Sequence, residues 1–184
     1  MPGRAYNTSV LYGPDGQQLA VYRKIHLFDA TVGTVPYLES GSLVPGEDVV
    51  TAGVDGLTVG LSICYDLRFP ELYLTLAQRG AGVLLAPSAF TALTGAAHWE
   101  LLARARAVDT GSYVLAPDQA GSYAPGRECY GHSMIVDPWG RVLAELPGGV
   151  GVCVAEVDPS VVERVRADLP VLRHRRPAAC PPQE

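Results

Sequence analysis

The stretch Leu57-Thr58-Val59-Gly60-Leu61-Ser62-Ile63-Cys64-Tyr65-Asp66-Leu67-Arg68-Phe69-Pro70-Glu71-Leu72 changes character at its middle. Its first seven residues are apolar enough for a buried strand. Phe69-Pro70-Glu71-Leu72 opens a helix, with Pro in the first turn and an acid close behind. The helix runs to about Arg79, and Gly80 suits the C′ position. Cys64 therefore stands between a strand and a helix, where ligand and catalytic groups collect in α/β folds. The helix start favours a thiolate there and lowers the thiol pKa, and the backbone N–H of Tyr65 faces the same space as an oxyanion donor. A structural cysteine at a strand end fits the local pattern equally well.

Outward from this junction, Gly, Pro and Asp divide the chain into short elements. Residues 6–12 and 17–23 read as a hairpin around Gly13-Pro14-Asp15-Gly16. Residues 24–46 have no clean period and read as one long loop. Residues 48–52 and 57–63 are strands around Val54-Asp55-Gly56. Downstream, 83–86 and 113–117 are short buried strands, and a helix spans about 96–110. Residues 132–136 and 141–146 form a hairpin around Asp137-Pro138-Trp139-Gly140. Residues 150–157 read as a further strand, and Asp158-Pro159-Ser160 starts a helix to about 168. Strands alternating with helices and hairpins predict an α/β fold with a mixed sheet. Residues 1–168 are read as one domain, and 169–184 as a Pro-rich basic arm.

The 184 residues carry a net charge of -5, with 48% hydrophobic and 18% charged residues. Enough apolar area is present for a core, which excludes a disordered chain. A net negative chain lacks the basic footprint of a nucleic-acid binder. No apolar run approaches a membrane span, and the first residues show no apolar h-region, so a cytoplasmic location is expected. Cys64, Cys129, Cys153 and Cys180 lie far apart, outside any zinc-type spacing, and are expected as free thiols with no metal. Thirteen arginines stand beside a single lysine, Lys24. Codon bias explains this, and so does a site that needs a compact ammonium. His26, His98, His132 and His174 match no protease signature and read as packed or surface residues.

Tyr22-Arg23-Lys24-Ile25-His26-Leu27-Phe28-Asp29 and the Cys64 stretch, with their key residues 40 positions apart, together resemble the nitrilase superfamily of carbon–nitrogen hydrolases. The likeness continues through Pro87-Ser88-Ala89-Phe90, Thr94-Gly95-Ala96-Ala97-His98-Trp99-Glu100, Arg104-Ala105-Arg106-Ala107 and Tyr130-Gly131-His132-Ser133-Met134-Ile135-Val136-Asp137-Pro138-Trp139-Gly140. It ends in Leu169-Pro170-Val171-Leu172-Arg173-His174-Arg175-Arg176-Pro177 and is nearest the deaminated glutathione amidase branch, beside the ω-amidases.

The resemblance implies an α-β-β-α sandwich and amide or nitrile hydrolysis through a cysteine thioester, without metal or organic cofactor. It implies Cys64 as nucleophile and Lys24, with the Tyr65 N–H, as the oxyanion pair. Glu39 matches the second glutamate, which positions the lysine or assists the base; a solvated loop acid is the other reading. Arg68, Phe90 and Thr94 match substrate contacts. Arg68 either holds a substrate carboxylate in a fork or pairs with Asp66 or Glu71. Asp66 reads as structural.

The family's general-base glutamate belongs to an N-terminal part, and residues 1–22 contain no Glu. The expectation is therefore an N-terminally truncated sandwich lacking the leading strands and helices, with impaired activity. The expected substrate is a small carboxylate-bearing amide, deaminated glutathione-like or an α-keto-acid ω-amide. A non-catalytic remnant that binds a ligand or partner, and a carbamoyl-amine or nitrile hydrolase, are the alternatives. A homodimer or other homo-oligomer is expected of the full-length protein.

Overall fold

The structure, a computed structural model, describes residues 3–176. Strands β1 (Thr8–Tyr12) and β2 (Gln18–Arg23) form the expected antiparallel hairpin. The segment expected as one loop carries a second hairpin, β3 (Asp29–Val32) with β4 (Val35–Leu38), followed by a 3₁₀ turn at Glu39–Gly41. Its signal is weak because Pro36 sits inside β4, which proline permits only at a sheet edge. Gly33, at φ +60°, makes the tight turn.

The six strands of the main sheet lie side by side in the order Val142–Leu146, Ser133–Val136, Tyr113–Ala116, Val83–Leu85, Leu57–Leu61, Thr51–Val54. They are β5 (Thr51–Val54), β6 (Leu57–Leu61), β7 (Val83–Leu85), β8 (Tyr113–Ala116), β11 (Ser133–Val136) and β12 (Val142–Leu146). Strands β6, β7 and β8 run parallel, and the other pairings are antiparallel. This is the mixed sheet the sequence predicts.

Alternation along the central strands divides the apolar side chains between two faces. On one face Leu84, Val114, Met134 and Val136 pack against helices α1 (Pro70–Gln78) and α2 (Ala92–Thr110) through Leu72, Tyr73, Leu76, Trp99, Ala103 and Ala107. On the other, Val59, Val83 and Tyr113 meet Val162 of α3 (Pro159–Asp168). Each fully buried large apolar side chain contributes about 1.5–3 kcal/mol.

Helix α2 begins four residues before its expected start, because Thr91 caps it by accepting the Thr94 N–H at 3.3 Å. Gly95, in its first turn, lies so close to Tyr130 that an added Cβ would come within 2.3 Å of the ring. A hairpin of β9 (Ala120–Ala124) and β10 (Arg127–Tyr130) precedes β11 and was not anticipated. Its Ala-Gly-Ser-rich first strand has little apolar content to mark it.

The predicted strand at 150–157 does not form among the described residues; Val150, Val152 and Val154 face solvent. A period-two pattern sets which side chains share a face, whereas a strand also needs a neighbour to pair with. The start of the segment read as a basic arm forms a single helical turn, α4 (Val171–His174). The rest of the arm from 177, including Cys180, lies outside the described residues.

The fold places three loops side by side. Cys64 follows β6, Pro87–Thr91 follows β7, and Asp118–Gln119 follows β8. All three leave the C-terminal ends of the parallel strands, where α/β sheets open a crevice.

Candidate active site

Cys64 adopts φ +51°, in the left-handed region that non-glycine residues rarely occupy. Such a conformation costs about 1–3 kcal/mol and persists where the surroundings over-determine it. Here the Cys64 N–H donates to the Pro87 carbonyl at 3.0 Å, and the Ile63 N–H donates to Asp66 Oδ2 at 2.9 Å. Cys64 thus opens the 3₁₀ turn Cys64–Arg68, ahead of α1. The close-packed surroundings of its sulfur push the thiol pKa up, against the sequence expectation of a lowered value. Lys24 and the Ala89 N–H oppose this and pull it down. Desolvation outweighs both, and α1 begins only at Pro70, six residues beyond Cys64.

Asp66 explains how a segment 40 positions upstream reaches this cysteine. Its wholly buried carboxylate accepts the Tyr22 hydroxyl at 2.6 Å, the His26 N–H at 3.0 Å and the Ile63 N–H. His26 Nδ1 lies 2.7 Å from it, and the His26 ring stacks on Phe69 with centroids 3.7 Å apart. Residues on both sides of Lys24 are therefore tied to residues on both sides of Cys64. Burial and the Asp66 charge hold the Tyr22 hydroxyl far above its ordinary pKa, so it remains a donor. Asp66 and His26 take the structural places the sequence assigns them.

Lys24 is 1% exposed, and its Nζ meets Glu39 Oε2 at 2.5 Å. The same carboxylate oxygen accepts the Phe28 N–H at 2.7 Å. Burial of an ammonium is costly unless it is paired, and Glu39 supplies the pair. Lys24, Glu39 and Cys64 line one cavity of about 600 Å³, with Phe28, Ser88 and Gln119. A second, tight pocket of about 20 Å³ also reaches Cys64 and is lined by Tyr65, Arg68, Phe90 and Thr94. The residues singled out from the sequence thus share two cavities that meet at one sulfur.

Arg68 pairs with neither Asp66 nor Glu71. Its guanidinium lies over the Tyr65 and Phe90 rings, 5.8 and 5.3 Å from their centroids, and 3.3 Å from His98. Aromatic faces hold the cation in place and leave hydrogen-bonding capacity on its fork.

Two residues of the site escaped sequence reading. Asp118 is 8% exposed; its Oδ1 accepts the Phe90 N–H at 2.8 Å, and its buried Oδ2 has no partner. Burial pushes its carboxyl up to about 7. Arg127, on β10, lines the large cavity and lies 4.6 Å from the Tyr37 ring centroid. An isolated Asp after a strand and an Arg in a weak hairpin carry no spacing signal. Among the described residues no group of three or more His, Cys, Asp or Glu is placed to hold a metal ion. Also among them, no helix is long and apolar enough to cross a membrane.

A strained cysteine at the end of a parallel strand, beside a buried and acid-paired lysine, defines a site suited to acyl transfer. Residues 1–167 match the carbon-nitrogen hydrolase family, and the chain belongs to it. Within that family it is similar to human deaminated glutathione amidase, 47% identical over 176 residues, which are 95% of this chain and 54% of that protein. Human omega-amidase NIT2 is 44% identical over 175 residues, 95% of this chain and 63% of that protein. Among solved structures, the NitFhit protein of C. elegans superposes with a TM-score of 0.90 at 45% identity, over 96% of this chain and 43% of that one. The chain thus spans somewhat more than half the length of these human relatives.

Proposed function

We propose that Cys64 is the acyl acceptor in hydrolysis of a small carboxylate-bearing amide, of the deaminated glutathione or α-keto-acid ω-amide type. The observation that carries this reading is the shared cavity of Cys64, Lys24 and Glu39. The Cys64 sulfur bonds to the amide carbon, and the charge on oxygen meets the Lys24 ammonium and the Tyr65 N–H. The carbon–nitrogen bond then breaks, and the thiol proton ends on the leaving nitrogen. Glu39, bonded to Lys24 at the cavity wall, holds the ammonium toward that oxygen. Water next cleaves the thioester, releasing a carboxylate and restoring the thiol. Arg68 holds the carboxylate of the acyl part, with Phe90 and Thr94 closing around its chain.

The names of the relatives support this substrate class. The test is hydrolysis of deaminated glutathione and of the ω-amide of 2-oxoglutarate by the parent and by Cys64→Ala, followed by chromatography of the freed acid. The expected result is slow product formation from the parent, as the missing general-base glutamate implies, and none from the variant. Equal rates from both would remove Cys64 from the reaction. A stable acyl adduct on Cys64 without turnover would keep Cys64 as the acyl acceptor and place the loss in thioester hydrolysis, whereas ligand binding with neither adduct nor product would favour the non-catalytic alternative.

A further inference from the structure

Asp118 follows β8 but lines neither cavity at Cys64. It is 8% exposed, and its Oδ2 meets no donor among the described residues. The Gln119 and Gly131 N–H groups beside it donate instead to the Ser88 and Gln119 carbonyls, at 3.0 and 2.9 Å. The Phe90 N–H does reach it, at Oδ1. A buried carboxylate with so few donors is costly, and a protonated carboxyl is less so.

What this carboxyl holds lies next to the thiol. Its partner Phe90 follows Ala89 directly, and the Ala89 N–H donates to the Cys64 sulfur. The Phe90 carbonyl is held by the Tyr130 N–H and the Ser88 N–H by the Pro117 carbonyl, both at 2.9 Å. Asp118 is fixed in turn by Ser133 Oγ, which accepts its N–H at 2.9 Å and donates to its carbonyl at 3.1 Å. The carboxyl therefore has little room to swing away when it loses its proton.

The titratable groups that face it are Cys64, Cys129 of β10, and His132, whose Nδ1 lies 2.6 Å from Glu145 of β12. Residues 87–91 of the loop after β7 carry none. Around the sulfur, Lys24 favours the thiolate, while Glu39 and Asp118 oppose it. Glu39 is paired with Lys24, whereas Asp118 forms no ion pair among the described residues.

We propose that Asp118 is a positioning residue for Cys64: through Phe90 it holds the Ala89 N–H against the sulfur, and once ionised its charge opposes Lys24 and restrains the thiolate. Thiol reactivity then rises less steeply through neutral pH than that of an uncoupled thiol. The proposal rests on Cys64 as the acyl acceptor and adds a group that acts on it from outside both cavities.

The experiment is the rate of Cys64 alkylation by iodoacetamide from about pH 6 to about pH 8, read on the Cys64 peptide by mass spectrometry. It compares the parent with Asp118→Asn and Asp118→Ala. Asparagine keeps an acceptor for the Phe90 N–H and carries no charge. Its rate should match the parent's near pH 6 and exceed it about threefold near pH 8, the equivalent of half a pKa unit. Alanine removes the acceptor as well, so Asp118→Ala should be slower than Asp118→Asn by one constant factor at every pH. An Asn-to-parent ratio that does not change with pH is what a merely structural role gives, and it would overturn the charge coupling. Equal rates for the Asn and Ala variants would overturn the positioning through Phe90. Histidine also changes charge near neutral pH, so His132→Gln is the control. The parent's shallow stretch near pH 7 should persist in it, and its disappearance would overturn the assignment to Asp118. Should neither Asp118 variant fold, a parent curve of unit logarithmic slope throughout would still overturn the coupling. Amide turnover is followed separately. The expected alkylation pattern without turnover would keep the role of Asp118 and sink the acyl-transfer reading.

Discussion

At the scale of single residues, the site is built from costs that neighbours offset. Asp66 is the clearest case, since one carboxylate joins the Lys24 and Cys64 segments through the Tyr22 hydroxyl and two backbone N–H groups. Asp66→Ala should leave these donors unsatisfied and cost about 3 kcal/mol or more in urea unfolding. Asp118 gives a pH-dependent counterpart. Its folded pKa, about 7, lies above the ordinary 3.8, so the folded state holds a proton that the unfolded state has released. Its contribution is fully present below pH 4 and is lost as pH rises through 7, a change of about 4 kcal/mol. Asp118→Asn should flatten this slope and should be more stable relative to the parent at pH 8 than at pH 5, by denaturant midpoints. Equal differences at both pH values would remove Asp118 as the titrating group.

At the scale of elements, local signals were legible where they were strong. The strand–Cys–helix junction, the first hairpin and the Asp158 cap all carry residue types whose chemistry has few alternatives. The β3–β4 hairpin was not legible because Pro36 interrupts its pattern, and β9 because its side chains are small. The Thr91 cap was missed because Thr94-Gly95 is a plausible helix start on its own. Thr91→Ala should lower stability by about 1 kcal/mol by removing the cap. Gly95→Ala adds a methyl group where Tyr130 already stands, so the α2–β10 contact must open. It should destabilise by about 1–3 kcal/mol despite the better helix propensity of alanine, as read by thermal melting. A gain in stability would show that the Tyr130 ring moves aside freely.

At the scale of the whole molecule, three loops at one end of a mixed sheet converge with a hairpin segment from the start of the chain. The sequence held the reacting groups because two long motifs named Lys24 and Cys64. It could not show what holds them together, since Asp66 works through contacts with residues 40 and 44 positions away. Nor could it show that one sulfur serves two cavities, because Arg127 and Tyr37 come from separate hairpins joined only in space. The raised thiol pKa likewise follows from packing around the sulfur, which no local pattern reports.

The central claim is that Lys24 and Cys64 act electrostatically on one another in a shared cavity. Its most direct test is the pH dependence of Cys64 alkylation by iodoacetamide, measured at the Cys64 peptide for the parent and for Lys24→Gln. Loss of the ammonium should shift the curve to higher pH and slow alkylation at pH 8 by about tenfold, the equivalent of one pKa unit. Superimposable curves for the two proteins would contradict the account.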